Sequence, residues 1–190
     1  MASEQVGPGH GVPVSIRRVV TGHNSSGRAV VASDSAPPRT NKFEHVPGMV
    51  SRLVWATSAV AHLPYGGRDP TGAVTSIVPG PGETRLLIVT FPPDSVFASP
   101  DFNPEAAMRE NLEASPGLAE LFEPDGMHQT PTVDYGIVLE GEVWLELDDG
   151  RQDRLQRHDV VVQNGTRHAW RNKTAEPATL AFVLIGADRG

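Results

Sequence analysis

The sequence predicts an all-β fold, a small barrel or sandwich, on three observations. Glycine and proline, 19 and 17 of the 190 residues, are dense enough to punctuate many short strands. From residue 136 onward, β-branched and apolar runs recur at close spacing with turn dipeptides between them. Only one stretch, 104–121, carries a helical pattern.

Taken in order, residues 1–13 are rich in Gly and Pro and read as a flexible tail. "SIRRVVTG" and "RAVVASD" are β-branched runs on either side of "HNSSG" and predict a hairpin, an arm. "SAPPRTNKFEHVPG" is a proline-rich connector that cannot be a central strand, because proline lacks the ladder donor. Strands are expected at 51–57, 73–78 and 84–91, with "PGPGE" turning between the last two. The helix over 104–121 has Asn103 to cap it and Pro104 at its first position, and it is split by Pro116 and Gly117. Strands follow at 136–147, 153–155, 160–163, 168–172 and 179–185, joined in part by the hairpin signals "DDG" at 148–150 and "NG" at 164–165. No internal repeat is present.

The net charge of −7 arises from mixed signs, which favours solubility and argues against a nucleic-acid partner. Without cysteine there is no disulfide, thiolate metal site or cysteine nucleophile, so a metal would need His, carboxylate or water. The N-terminus lacks a signal-peptide pattern, and no apolar run reaches the ~20 residues of a membrane helix, so a cytoplasmic protein with no membrane partner is expected. Nucleophile-elbow, P-loop and dinucleotide-binding motifs are absent.

The stretch that carries chemistry is "MHQTPTVDYG", with His128, Thr130, Thr132 and Asp134 at alternate positions. In one straight strand His128 and Asp134 would stand about 20 Å apart, too far to share an ion. Pro131 offers a turn, after which Asp134 opens a second strand antiparallel to the one ending near His128. A third ligand comes from "NGTRHAWRN", where His168, Trp170 and Asn172 share a strand face. Two imidazoles and a carboxylate make the set that leaves open positions on Fe(II) and that also serves zinc. Thr130 could hold a metal-bound water or a substrate oxygen, and Thr132 is a weaker version of the same idea. Trp170 and Tyr135 are candidate walls for an aromatic or unsaturated substrate, and Asn172 or Thr132 a partner for the second nitrogen of a histidine ligand.

"GMHQTPTVDYGIVLEGEV" and "HDVVVQNGTRHAWRN" together resemble the two motifs of the cupin superfamily. In the first motif His128 matches the first histidine, Thr130 the second, Asp134 the glutamate and Gly141 the closing glycine. In the second, Gln163 stands for the proline, followed by Gly165, His168 and Asn172. Three positions depart from the pattern: Thr130 replaces a histidine, Asp134 is one methylene shorter than glutamate, and His158 stands where a glycine precedes the aspartate. The resemblance covers roughly residues 124–186. It implies a jelly-roll-like cupin β-barrel in which 124–190 is the core, while 14–123 supplies an N-terminal strand arm, further barrel strands and short helices.

The function expected on these grounds is a metal-dependent enzyme acting on a small oxygenated organic molecule. A divalent ion (Fe, Zn, Mn or Ni) on His128, Asp134 and His168 would act as a Lewis acid in decarboxylation, isomerisation or elimination. Thr130 and Trp170 are the catalytic candidates, and Thr132, Tyr135 and Asn172 the substrate-binding ones. Alternatives are an Fe(II)-dependent dioxygenase and a non-catalytic small-molecule binder. A homodimer, through sheet extension or arm exchange, is expected.

Overall fold

In the computed structural model, which describes residues 15–188, the first two β-branched runs pair antiparallel as β1 (Arg18–His23) and β2 (Ala29–Ser35). The tail expected at 1–13 lies outside the described residues. The Asn24 side-chain oxygen closes the turn by accepting from the amides of Ser26 and Arg28, both at 3.0 Å. This arm is a two-stranded sheet of its own. Arg18 fastens it to the rest: the side chain is buried, pairs with Asp69 at 2.6 Å and donates to the Val54 carbonyl at 3.2 Å.

The remaining strands are β3 (Arg39–Lys42), β4 (Val50–Thr57), β5 (Thr84–Phe91), β6 (Thr132–Glu140), β7 (Glu142–Glu146), β8 (Gln152–Gln156), β9 (Val160–Asn164), β10 (Ala169–Arg171) and β11 (Ala178–Gly186). They form a six-stranded sheet in the order β3-β4-β5-β11-β6-β9 and a three-stranded sheet in the order β10-β7-β8, antiparallel throughout. Side chains facing inward from both, among them Leu53, Leu87, Val138, Val143 and Leu180, make one buried core. Each such side chain contributes about 1.5–3 kcal/mol relative to exposure. Three strands from before residue 124 and three from after it join in the large sheet where β5 pairs with β11, so the segment before the motifs is part of the barrel wall.

Three expectations are corrected. β3 lies within the proline-rich connector, where no strand was foreseen, but it is an edge strand following Pro37 and Pro38, the position proline permits. No strand forms at 73–78. Pro70–Ala73 is a 3-10 turn in which the Asp69 carboxylate accepts from the Thr71 amide and hydroxyl at 2.9 and 2.6 Å, and both edges of β4 and of β5 are already taken. The run 136–147 is broken at Gly141, where the chain passes from the large sheet to the small one. Gly141 has φ 73, and a Cβ there would sit 2.9 Å from the Ala178 Cα.

The predicted helix appears as α1 (Pro104–Ala114) and a 3-10 turn at Ala119–Leu121, divided where Pro116 and Gly117 require it. Asn103 caps α1 by accepting from the Ala106 amide at 3.0 Å. Ala107 of α1 packs with Phe43 and Val46 in a second small cluster, and α1 thereby walls one side of the barrel's interior cavity.

Candidate functional site

His128 and His168 face each other across an isolated antiparallel bridge in which each amide donates to the other's carbonyl at 2.9 Å. His168 immediately precedes β10 of the small sheet, whereas Thr132 opens β6 of the large one. Residues 128–132 therefore carry the chain across from one sheet to the other. The hairpin expected at Pro131 does not form: the ladder partners of Asp134 are Gln163 and Leu184, not the His128 segment. Alternation runs unbroken through the crossing, with His128, Thr130, Thr132 and Asp134 all buried. Pro131 sits between the sheets, where its missing N–H leaves no ladder bond unmade.

The imidazoles lie against each other, tilted by 47°, with ring centroids 4.3 Å apart. His168 Nδ1–H donates to the Thr166 carbonyl at 2.9 Å, and His128 Nδ1 faces the Gly126 carbonyl at 3.4 Å. Because a carbonyl only accepts, each neutral ring carries its proton on Nδ1 and keeps a lone pair on Nε2. These backbone carbonyls, rather than Asn172 or Thr132, orient the rings. Burial pushes His128 down to about 4, helped by the nearby His168 and opposed by the Gly126 contact. Burial lowers His168 as well. In the opposite sense, burial pushes the Asp134 carboxyl up to about 6, partly offset by hydrogen bonding from Thr132. At neutral pH the site holds two uncharged imidazoles and a carboxylate close to its own titration point.

These groups fit a metal only in part. Two Nε2 lone pairs are what a metal asks of histidine, but among the described residues no group of three or more His, Asp or Glu is placed to hold an ion. The structure brings His128 and His168 together and sets Asp134 in the wall of the same cavity without joining it to them. The position that would complete a three-histidine set is Thr130, whose hydroxyl is hydrogen-bonded to that of Thr132 at 2.7 Å.

Of the other candidates, Trp170 lines the cavity edge-on to His168, ring centroids 5.7 Å apart. Tyr135 does not: strand alternation turns it to the outer face of β6, 43% exposed. Thr132 is buried behind Thr130. Asn172 reaches the cavity wall, but its polar atoms are engaged. Its Nδ2 donates to the Phe91 and Glu176 carbonyls, and its Oδ1 accepts from the Thr174 amide and hydroxyl. It holds the turn into β11 in place of binding a substrate.

The cavity has a volume of about 1100 Å³ and lies between the sheets and α1. Its walls are mostly apolar, and His128, Thr130, Asp134, Gln163 and His168 form its polar patch. Sequence reasoning missed Gln163 as a site residue, treating it only as a stand-in for a motif proline. The sequence carried no signal for it: in "VVVQN" the one buried residue is the glutamine, the reverse of what polarity predicts.

No family model matches the chain. It is 36% identical over 142 residues to phomopsin biosynthesis cluster protein D of Diaporthe leptostromiformis, covering 70% of this chain and 71% of that protein. Phomopsin biosynthesis cluster protein C' of the same fungus is 54% identical over 85 residues, a match spanning 44% of this chain and 42% of that relative's length. A cupin-domain-containing oxidoreductase of Hypocrea virens is 27% identical over 94% of this chain and 79% of that protein. Among solved structures, the Cupin_2 domain of an XRE family transcriptional regulator from Enterobacter cloacae covers 75% of this chain and 99% of that one, at 14% identity and a TM-score of 0.38.

Proposed function

The chain belongs to the cupin superfamily, and from that footing we propose that it is an enzyme of secondary-metabolite biosynthesis that encloses a largely apolar small molecule in its barrel and moves a proton on it. The observation that carries this reading is the buried Asp134 in the cavity wall, with a carboxyl oxygen that has no hydrogen-bond partner and a carboxyl poised at about 6. The names of the relatives support the biosynthetic setting.

In the mechanism, the Asp134 carboxylate takes a proton from a carbon next to a substrate carbonyl. The electrons of the broken C–H bond pass into the carbonyl to give an enolate, whose oxygen meets the Thr130 hydroxyl proton. Asp134 returns the proton to the same carbon or to a conjugated one, which gives isomerisation with no net change in oxidation state. The neutral Nε2 atoms of His128 and His168 accept from a substrate hydroxyl and orient it, and Trp170 and the apolar walls exclude water. No step is assigned to a metal, because Asp134 does not join the histidine pair as a third ligand.

A second reading is favoured by the relatives whose names describe cupin-domain-containing oxidoreductases. In that case the same cavity positions the substrate while dioxygen takes two electrons and two protons from it and leaves as hydrogen peroxide. A non-catalytic binder is the third.

The test uses 2-tetralone, an uncharged, enolisable aromatic ketone, in D₂O, with deuterium uptake followed by NMR. The wild type is expected to accelerate exchange at least about tenfold over buffer, and Asp134→Asn to return it to the buffer rate. Exchange that Asp134→Asn leaves untouched would falsify the proton-transfer reading. Oxygen uptake on substrate addition, read at an electrode, selects the redox one, and binding without either change selects the binder.

A further inference from the structure

All six phenylalanines of the chain, Phe43, Phe91, Phe97, Phe102, Phe122 and Phe182, line the one cavity, together with Trp170. Here the rings also form a continuous path through the polar patch. Phe122 lies on His128 at 4.3 Å, His128 on His168 at 4.3 Å, His168 against Trp170 at 5.7 Å, and Trp170 against Phe182 at 5.3 Å. Ring faces and edges presented in this way match another planar ring better than a saturated body of equal volume.

The polar patch adds a second, independent feature. Asp134 and Gln163 are directly opposed on β6 and β9, 8% and 5% exposed, and both line the cavity. Thr166 donates to Gln163 Oε1 at 2.8 Å, which leaves Gln163 Nε2 as a buried donor with no partner, and on the residue opposite it Asp134 Oδ1 is a buried acceptor with none. Buried polar atoms are ordinarily satisfied, so an adjacent orphaned donor and acceptor in a cavity wall describe the complementary edge of a ligand. Directly opposed residues stand only about 4.5–5.5 Å apart at Cα, close enough for one functional group to meet both.

Charge narrows the class further. Of the acidic residues lining the cavity, Glu123 and Asp125 are paired with Arg167, which leaves Asp94, Glu105 and Asp134, and the basic one among the described residues is Arg171, which Glu146 holds at 2.5 Å. An anionic ligand would meet repulsion with no free cation in the wall to balance it.

We propose that the cavity recognises an uncharged aromatic molecule whose edge carries a hydrogen-bond acceptor beside a donor, the acceptor taking Gln163 Nε2–H and the donor giving to Asp134 Oδ1. An amide edge has this arrangement, as does a hydroxyl next to a carbonyl. The inference rests on the cavity being the substrate site, and it makes Gln163 a specificity-determining residue.

Titration calorimetry at neutral pH with three shape-matched probes tests it. 2-Naphthamide is expected to bind, with 2-naphthoate and decahydro-2-naphthamide each at least about tenfold weaker, for lack of the donor and of the ring respectively. Gln163→Leu should weaken 2-naphthamide about tenfold while leaving 2-methylnaphthalene, which has no polar edge, within about twofold. Asp134→Asn should raise the affinity for 2-naphthoate. Naphthoate or the saturated amide binding as tightly as naphthamide overturns the proposal, as does no binding of naphthamide or a Gln163→Leu loss shared equally by methylnaphthalene. Deuterium exchange into 2-tetralone separates the two conclusions. Exchange that depends on Asp134 without probe selectivity leaves the proton-transfer reading standing and removes this one, and selectivity without exchange does the reverse.

Discussion

His158 occupies left-handed backbone, φ 79, at an exposed position in the turn between β8 and β9. The cupin pattern has a glycine there, and the structure supplies the reason: a side chain in this region is strained and glycine is not. His158→Gly is expected to stabilise the fold by about 1 kcal/mol, read from the urea midpoint, since no packing is lost with the imidazole. The buried titrating groups work in opposite directions. Asp134 is raised from 3.8 to about 6, so between those values the folded chain holds a proton the unfolded chain has released, and stability falls as pH rises through 6. His128 is lowered from 6.5 to about 4, so the unfolded chain holds the extra proton in that window and stability falls as pH drops through it. His168 acts in the same sense as His128. Between pH 4 and 6 Asp134 and His128 largely cancel, which leaves a shallow acid slope set by His168. Asp134→Asn removes the opposing group. It should be more stable than wild type above pH 6, by on the order of 2 kcal/mol, and should lose stability more steeply on acidification, as denaturation across a pH series would show.

Among the elements, α1 and β5 match expectation at their first residues because their signals are local. Asn103 followed by Pro104 starts the helix, and the turn around Gly82 precedes Thr84. The strand expected at 73–78 fails for a reason no local window contains, namely that β4 and β5 already have partners on both edges. The helix cap also matters to the cavity, since α1 contributes Glu105, Ala107 and Met108 to its wall. Asn103→Ala should cost about 1 kcal/mol of stability and also weaken ligand binding, because the first turn of α1 frays where it lines the site. Unchanged affinity in calorimetry with a lowered urea midpoint would separate the wall from the cap.

Over the whole molecule, the large sheet ends in β9, an edge strand with Val160 60% and Val162 54% exposed. Val162 stands opposite the outward Tyr135 and Val160 opposite Ile137, so the edge carries an apolar outer face onto the next strand. Among the described residues nothing covers this edge, and an edge of this kind is a template for pairing; the sheet-extension homodimer expected from the sequence predicts β9 against β9 of a second copy. Sedimentation should read a dimer for the wild type and a monomer with unchanged circular dichroism for Val162→Lys; a monomeric wild type would remove the proposal. Among the described residues no helix is long and apolar enough to cross a membrane. What the sequence determined by itself was the β class, the helix and most strands, because periodicity, caps and turn signals are properties of neighbours along the chain. What the tertiary structure decided was which side chains meet. The segment through Pro131 crosses between sheets instead of turning back, Asp134 consequently lies beside Gln163 rather than with the two histidines, and all six phenylalanines converge on one cavity. Those pairings depend on which strand edges remain free once the sheets have closed, and that is fixed only when the whole chain is folded.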